Sequence, residues 1–130
     1  MTIRQIKETC IYVEDLDRTQ RFYHQQLGLP IIGQVEGRHV FFRAGTSVLL
    51  CFIAEKTKED TELPPHFGYG SSHMAFEVSP EEYQAWKEKM NELGIPIIHE
   101  HEWKGGFRSF YFHDPDGHVL EIVPEGMWSK

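Results

Sequence analysis

The chain has 130 residues, of which 40% are hydrophobic and 25% charged, and a net charge of −7 with histidine neutral. That size and composition describe a folded domain with one principal core and argue against long disordered tracts. The acidic balance and the scattered Lys and Arg argue against a nucleic-acid partner, and no apolar run approaches the roughly 20 residues of a membrane span. Met1–Glu8 also lacks a signal-peptide apolar stretch, so the expectation is a soluble, cytoplasmic protein with no membrane partner.

Along the chain, the first strand-like run is Glu8–Val13, followed by a helix from a cap near Asp15 to about Gln26, with Leu16, Phe22, Tyr23 and Leu27 facing inward and Gly28 and Pro30 ending it. Strand-like runs follow at His39–Phe42 and Ser47–Phe52. Residues 55–72, charged and then rich in Pro, Gly and Ser, read as a linker. Next come a strand at His73–Val78 and a helix in which Ser79 caps, Pro80 takes the first helical position and Glu82 completes a capping box. Tyr83, Trp86, Met90 and Leu93 form its apolar stripe, and Gly94 and Pro96 stop it. The last strands are Ser109–Phe112 and His118–Val123, joined through the turn sequence Asp114-Pro-Asp-Gly117.

The two halves repeat. Leu27-Gly-Leu-Pro-Ile-Ile32 returns as Leu93-Gly-Ile-Pro-Ile-Ile98, with a strand and helix before each copy and strands after it. The expected fold is therefore α+β: two tandem βαβββ modules, 1–54 and 73–125, within a single domain spanning 1–130. Alternation along strands puts Glu8, Cys10 and Tyr12 on one face, and His73, Ala75 and Glu77 on the equivalent face of the repeat, away from the helices. The final strands align Leu50 with Glu121. A carboxylate inside an apolar strand calls for a cation or hydrogen-bonding partners. Cys10 and Cys51 sit in apolar runs without CxxC spacing and are expected to be buried, reduced thiols.

Val13-Glu-Asp-Leu16, Phe22-Tyr23, Leu27-Gly28, His73-Met-Ala-Phe-Glu-Val78 and above all Arg108-Ser-Phe-Tyr-Phe-His-Asp-Pro-Asp-Gly-His-Val-Leu-Glu121 together resemble the vicinal oxygen chelate superfamily. Its members include glyoxalases, extradiol dioxygenases, fosfomycin-resistance enzymes and bleomycin-resistance proteins. The resemblance implies an eight-stranded, cup-shaped sheet with helices outside, and one divalent metal held by Glu8, His73 and Glu121, with Leu50 in the fourth ligand position. Leu50 departs from the four-ligand set of glyoxalase I, and Glu8 from the histidine of the dioxygenase and fosfomycin types. Two carboxylates and one imidazole favour Mn²⁺ or Mg²⁺, with Fe²⁺, Ni²⁺ or Zn²⁺ as further candidates.

The implied function is a metal-dependent enzyme that chelates a small substrate through neighbouring oxygens and stabilises an oxyanion or enolate. Lyase, isomerase, transferase and dioxygenase chemistry all fit that description. Glu8 and Glu121 are the carboxylates placed to act in it, Glu8 as ligand or as general base. Arg108 is an anion-clamp candidate or else a structural ion pair, while Leu50, Phe52 and Tyr111 are candidate substrate-binding walls. His99 and His101 read as an exposed strand end or lid, and Gly105-Gly106 as its hinge. The alternative function is a metal-free protein that sequesters a drug or metabolite, as bleomycin-resistance proteins do. The resemblance also implies a homodimer, with modules paired within or exchanged between chains.

Overall fold

The computed structural model describes residues 1–129, which divide into two compact units, Met1–Gly70 and one beginning at Ser71. Each unit is a βαβββ module, and the architecture is α+β.

In the first unit β1 (Glu8–Tyr12) leads into α1 (Leu16–Gln20), which runs on as a π-helical segment over Arg21–Gln26. β2 (Ile31–Val35), β3 (His39–Ala44) and β4 (Ser47–Phe52) then form an antiparallel meander, and β4 accepts β1 in parallel, giving the order β1-β4-β3-β2. Asp15 caps the helix as expected: its Oδ1 accepts the amide of Arg18 at 3.0 Å. That bond is the main reason the Asp15 carboxyl titrates below its ordinary value. Because the cap depends on an acceptor oxygen, Asp15→Ala is expected to lower the urea midpoint while Asp15→Asn keeps it, and the wild-type advantage fades as pH falls through the depressed Asp15 value. Urea titrations of the three proteins at neutral and acidic pH check this. Thr19, Phe22 and Tyr23 from this helix pack with Val40, Phe42 and Leu49, and all six are buried. A short helix, α2 (Ala54–Thr57), follows β4 within the stretch read as linker.

The second unit repeats the plan. β5 (His73–Val78) precedes a 3₁₀ turn (Pro80–Glu82) and α3 (Tyr83–Leu93), and β6 (His99–Glu102), β7 (Arg108–His113) and β8 (Val119–Pro124) complete a sheet ordered β5-β8-β7-β6. Ser79 and Glu82 do not form the anticipated capping box. The Ser79 hydroxyl donates to Glu82 Oε1 at 3.2 Å, and the turn is closed by the Glu82 amide on the Ser79 carbonyl. Gly94 ends α3 in the left-handed region, at φ 70°, where a side chain would be strained. Phe110, Phe112, Leu120, Ile122 and Met90 form the core between sheet and helix. Among the described residues no helix is long and apolar enough to cross a membrane.

The expectation of two buried thiols holds for Cys51 alone; Cys10 is exposed. β1 lies at the edge of its sheet, whereas Cys51 lies on the interior strand β4 and points to the helix side.

Candidate metal centre

Within the second unit, strand alternation carries Glu121 and His73 to the face opposite the core. β5 and β8 pair in parallel with His73 opposite Val119 and Ala75 opposite Glu121, so the two side chains meet diagonally, with Nε2 of His73 3.2 Å from Oε1 of Glu121. Nδ1 of His73 lies 2.8 Å from the Val119 carbonyl oxygen. A carbonyl only accepts, so Nδ1 carries the proton and donates, and in the neutral ring Nε2 presents its lone pair to the carboxylate. Two acceptors at that separation repel unless a proton or cation lies between them. Glu121 is only 5% exposed, and its second oxygen, Oε2, is buried without a hydrogen-bond partner. A carboxylate desolvated in this way is costly unless it meets a cation. An imidazole nitrogen with a locked tautomer plus a carboxylate lacking a compensating cation is a donor set that fits a divalent metal.

The turn before β8 sets this geometry. Asp114 Oδ1 accepts the amides of Asp116 and His118, both at 2.9 Å, and Gly117 turns the chain at φ 83°. His118, 2% exposed, then accepts the Ser72 amide on Nδ1 at 3.0 Å, and the Val119 amide donates to the Ser72 carbonyl at 2.8 Å. These bonds tie the start of β8 to the residue before His73. The motif Asp114-Pro-Asp-Gly-His118 is therefore the register pin of the pair, a role that its turn chemistry alone did not reveal.

Tyr111 stands opposite Glu121 in the β7–β8 register, and its ring lies 6.0 Å from that of His73. Burial raises its hydroxyl pKa, Ser109 opposes this, and the Glu121 carboxylate adds to the rise through its charge and as acceptor of a hydrogen bond from the hydroxyl. The hydroxyl thus stays protonated at neutral pH and can donate a hydrogen bond.

Arg108 does not join the pair. It lies on the other face of β7, the face of Phe110 and Phe112, and donates to Glu100 Oε1 at 3.3 Å. This is the structural ion pair of the two readings offered for Arg108, and Glu100 also collects Lys87 at 2.9 Å and the Tyr83 hydroxyl at 2.8 Å. Burial pushes the Glu100 pKa up, but the bonds from Lys87 and Tyr83 and the charges of Lys87 and Arg108 outweigh it, leaving it lowered overall. The unfolded chain therefore binds more protons, so this cluster stabilises fully above the ordinary carboxylate range and is lost as pH falls through the depressed value. Glu100→Gln should flatten the acid limb of the stability–pH curve, at pH values below the ordinary glutamate range. Equal acid limbs in urea titrations of the two proteins would contradict this.

In the first unit, Glu8 is exposed at the start of β1, with Cα opposite Val48, and shares its face with Cys10 and Tyr12. Leu50, half-buried, lies between Cys10 and Phe41 in the register. Beyond it an aromatic cluster forms: Phe52 makes ring contacts with Tyr12, Phe41, His39 and His66. The Tyr12 hydroxyl lies 2.6 Å from His66 Nδ1, and its pKa is pushed up to about 12, chiefly by burial. Arg38 lies over Phe52, donates to His39 Nδ1 at 2.6 Å and pairs with Asp60 at 2.7 Å. Strand parity places Phe52 here, but His66 and Arg38 lie outside the strands and carry no periodic signal. Of the three expected ligands, the structure brings His73 and Glu121 together; among the described residues no group of three or more His, Cys, Asp or Glu is arranged to hold a metal.

With this geometry, the comparisons with known proteins agree in kind. The sequence profile of the Glyoxalase/Bleomycin resistance protein/Dioxygenase superfamily matches residues 5–122. A metallothiol transferase FosB from Bacillus licheniformis is 31% identical over 118 residues, covering 90% of this chain and 73% of the relative. A glutathione transferase FosA from Serratia marcescens is 27% identical over 123 residues, covering 92% of this chain and 80% of the relative. The crystal structure of a lactoylglutathione lyase from Agrobacterium tumefaciens superposes with a TM-score of 0.93 at 31% identity, over 98% of both chains.

Proposed function

Because the chain belongs to the glyoxalase/bleomycin resistance protein/dioxygenase superfamily, we propose that it is a divalent-metal-dependent enzyme joining a small-molecule thiol to an oxygen-bearing electrophile, a transferase in preference to a lyase. The buried Glu121 carboxylate, with one oxygen unpartnered and the other facing the His73 lone pair, carries the metal part of this reading. The thiol part is supported by the names of its relatives, a metallothiol transferase and a glutathione transferase, and by a lactoylglutathione lyase among similar structures. Leu50 in place of a fourth ligand counts against the lyase, and Glu8 in place of a histidine counts against the fosfomycin enzymes themselves, so the electrophile is named only by class.

In this proposal His73 and Glu121 hold the ion, its other positions are open to substrate oxygens and solvent, and carboxylate ligation favours a hard ion such as Mn²⁺ or Mg²⁺. The bound ion would supply Lewis-acid stabilisation of negative charge on a substrate oxygen. His73 needs no tautomer change to serve, since Val119 already holds its proton on Nδ1. The protonated Tyr111 hydroxyl would donate to the same developing charge. The thiol would react as its thiolate, its proton passing to solvent. A homodimer is part of the proposal, in keeping with the superfamily to which the chain belongs.

The test is elemental analysis of the purified protein, followed by thiol-consumption assays with glutathione and a small phosphonate epoxide, with and without chelator. Metal-dependent thiol loss that disappears in His73→Ala supports the proposal. Bound metal without thiol turnover removes the thiol assignment, and ligand binding unaffected by chelator or His73→Ala points instead to metal-free sequestration.

A further inference from the structure

Along the same face of the second sheet, β6 carries a histidine pair with no place in the proposal above. His99 and His101 are exposed, two residues apart on one strand face, and opposite Tyr111 and Ser109 in the register. Nε2 of His99 stands 3.4 Å from Nδ1 of His101. That is long for a hydrogen bond between ring nitrogens. It matches the separation of two ligands on one tetrahedral ion, since nitrogens bound at about 2.0–2.1 Å stand roughly 3.3–3.4 Å apart.

Both rings are held in place. His99 packs on Tyr111 at 5.9 Å between centroids, and His101 meets Trp103 edge-on at 4.6 Å. Trp103 is itself fixed, its indole N–H donating to Ser109 Oγ at 2.9 Å and its amide to the Phe107 carbonyl at 2.7 Å. Little rotamer freedom is left to lose on binding. The carboxylate between the two histidines, Glu100, is turned to the helix side and engaged by Tyr83, Lys87 and Arg108, so it does not compete. His101 also lines a cavity of about 450 Å³ with Glu102, Trp103, Lys104, Met127 and Trp128, which leaves room for a solvent-borne ligand on the remaining positions of an ion.

We propose that His99 and His101 form a second divalent-metal site, distinct from the His73–Glu121 pair and selective for imidazole-preferring ions: Zn²⁺, Ni²⁺ or Cu²⁺ rather than Mg²⁺ or Mn²⁺. Two neutral imidazoles leave the ion's charge uncompensated, so its open positions take water or an anionic group. The inference does not rest on the enzymatic proposal.

Zn²⁺ titration by calorimetry and Cu²⁺ titration read by tryptophan fluorescence test it. The full-length protein should lose one zinc equivalent in the double variant His99→Ala/His101→Ala and keep that equivalent in His73→Ala/Glu121→Gln. Cu²⁺ should quench the part of the emission that Trp103→Phe removes, and this quenching should vanish in the His99→Ala/His101→Ala protein. An unchanged zinc stoichiometry, or undiminished quenching, in that double variant would overturn the proposal. Because both histidines are exposed, an unaltered circular-dichroism spectrum is expected. Should it change, the single variants His99→Gln and His101→Gln provide the same readouts, each expected to lose the zinc equivalent.

Discussion

Glu121→Gln is expected to abolish metal binding at the His73–Glu121 pair, read with Mn²⁺, while leaving the fold intact. Gln keeps the shape of the side chain at a position only 5% exposed, so packing against the strand neighbours is preserved. What disappears is the charge. Oε2 has no hydrogen-bond partner and Oε1 faces the Nε2 lone pair of His73 at 3.2 Å, so without metal the native carboxylate is poorly compensated. The metal-free Gln variant should therefore be at least as stable in urea as the metal-free wild type, a sign opposite to that of an ordinary core lesion. Its metal affinity should fall by more than the roughly 10–100-fold that follows loss of an outer-shell partner, because a ligand itself is lost. Equal Mn²⁺ content in wild type and variant after dialysis would remove the site as drawn.

Phe110→Ala should be the most damaging single change in the second unit. The ring is fully buried, 5.5 Å from that of Tyr83 and 5.9 Å from that of Phe112. It sits opposite Ile122 in the β7–β8 register, immediately beneath the strand that carries Glu121. Truncation removes the transfer energy of the ring and leaves a cavity that a sheet-and-helix core closes only partly, for a loss of about 3–5 kcal/mol. That is a large share of the roughly 5–15 kcal/mol by which domains are stable. Trp128→Ala, at a residue 83% exposed, should cost no more than about 0.5 kcal/mol despite the larger side chain. Urea unfolding of both variants checks the contrast. A cost below about 1 kcal/mol for Phe110→Ala would mean that this core tolerates a void.

What was legible without coordinates rested on periodicity. The repeat of Leu27–Ile32 in Leu93–Ile98 announced two modules, and alternation along single strands put His73 and Glu121 on the helix-free side. Parity also places Arg108 with Phe110 and Phe112, so its helix-side position was readable. Its partnership with Glu100, Lys87 and Tyr83 was not, since it joins β6, β7 and α3. The chemistry of the turn after Asp114 was likewise visible, but the bond from Ser72 to His118 across the parallel β5–β8 pair was not.

The sequence by itself therefore determined the modules, the faces of the strands and the residue types offered on each face, because these follow from the 3.6- and 2-residue periods of local backbone geometry. Only the tertiary structure decided that Cys10 lies on an exposed edge, that Nδ1 of His73 donates to Val119, and that Glu121 Oε2 is buried without a partner. Each of these depends on which strand lies beside which and in what register. Pairings of that kind, between residues more than 40 positions apart, are set by packing and leave no periodic trace along the chain.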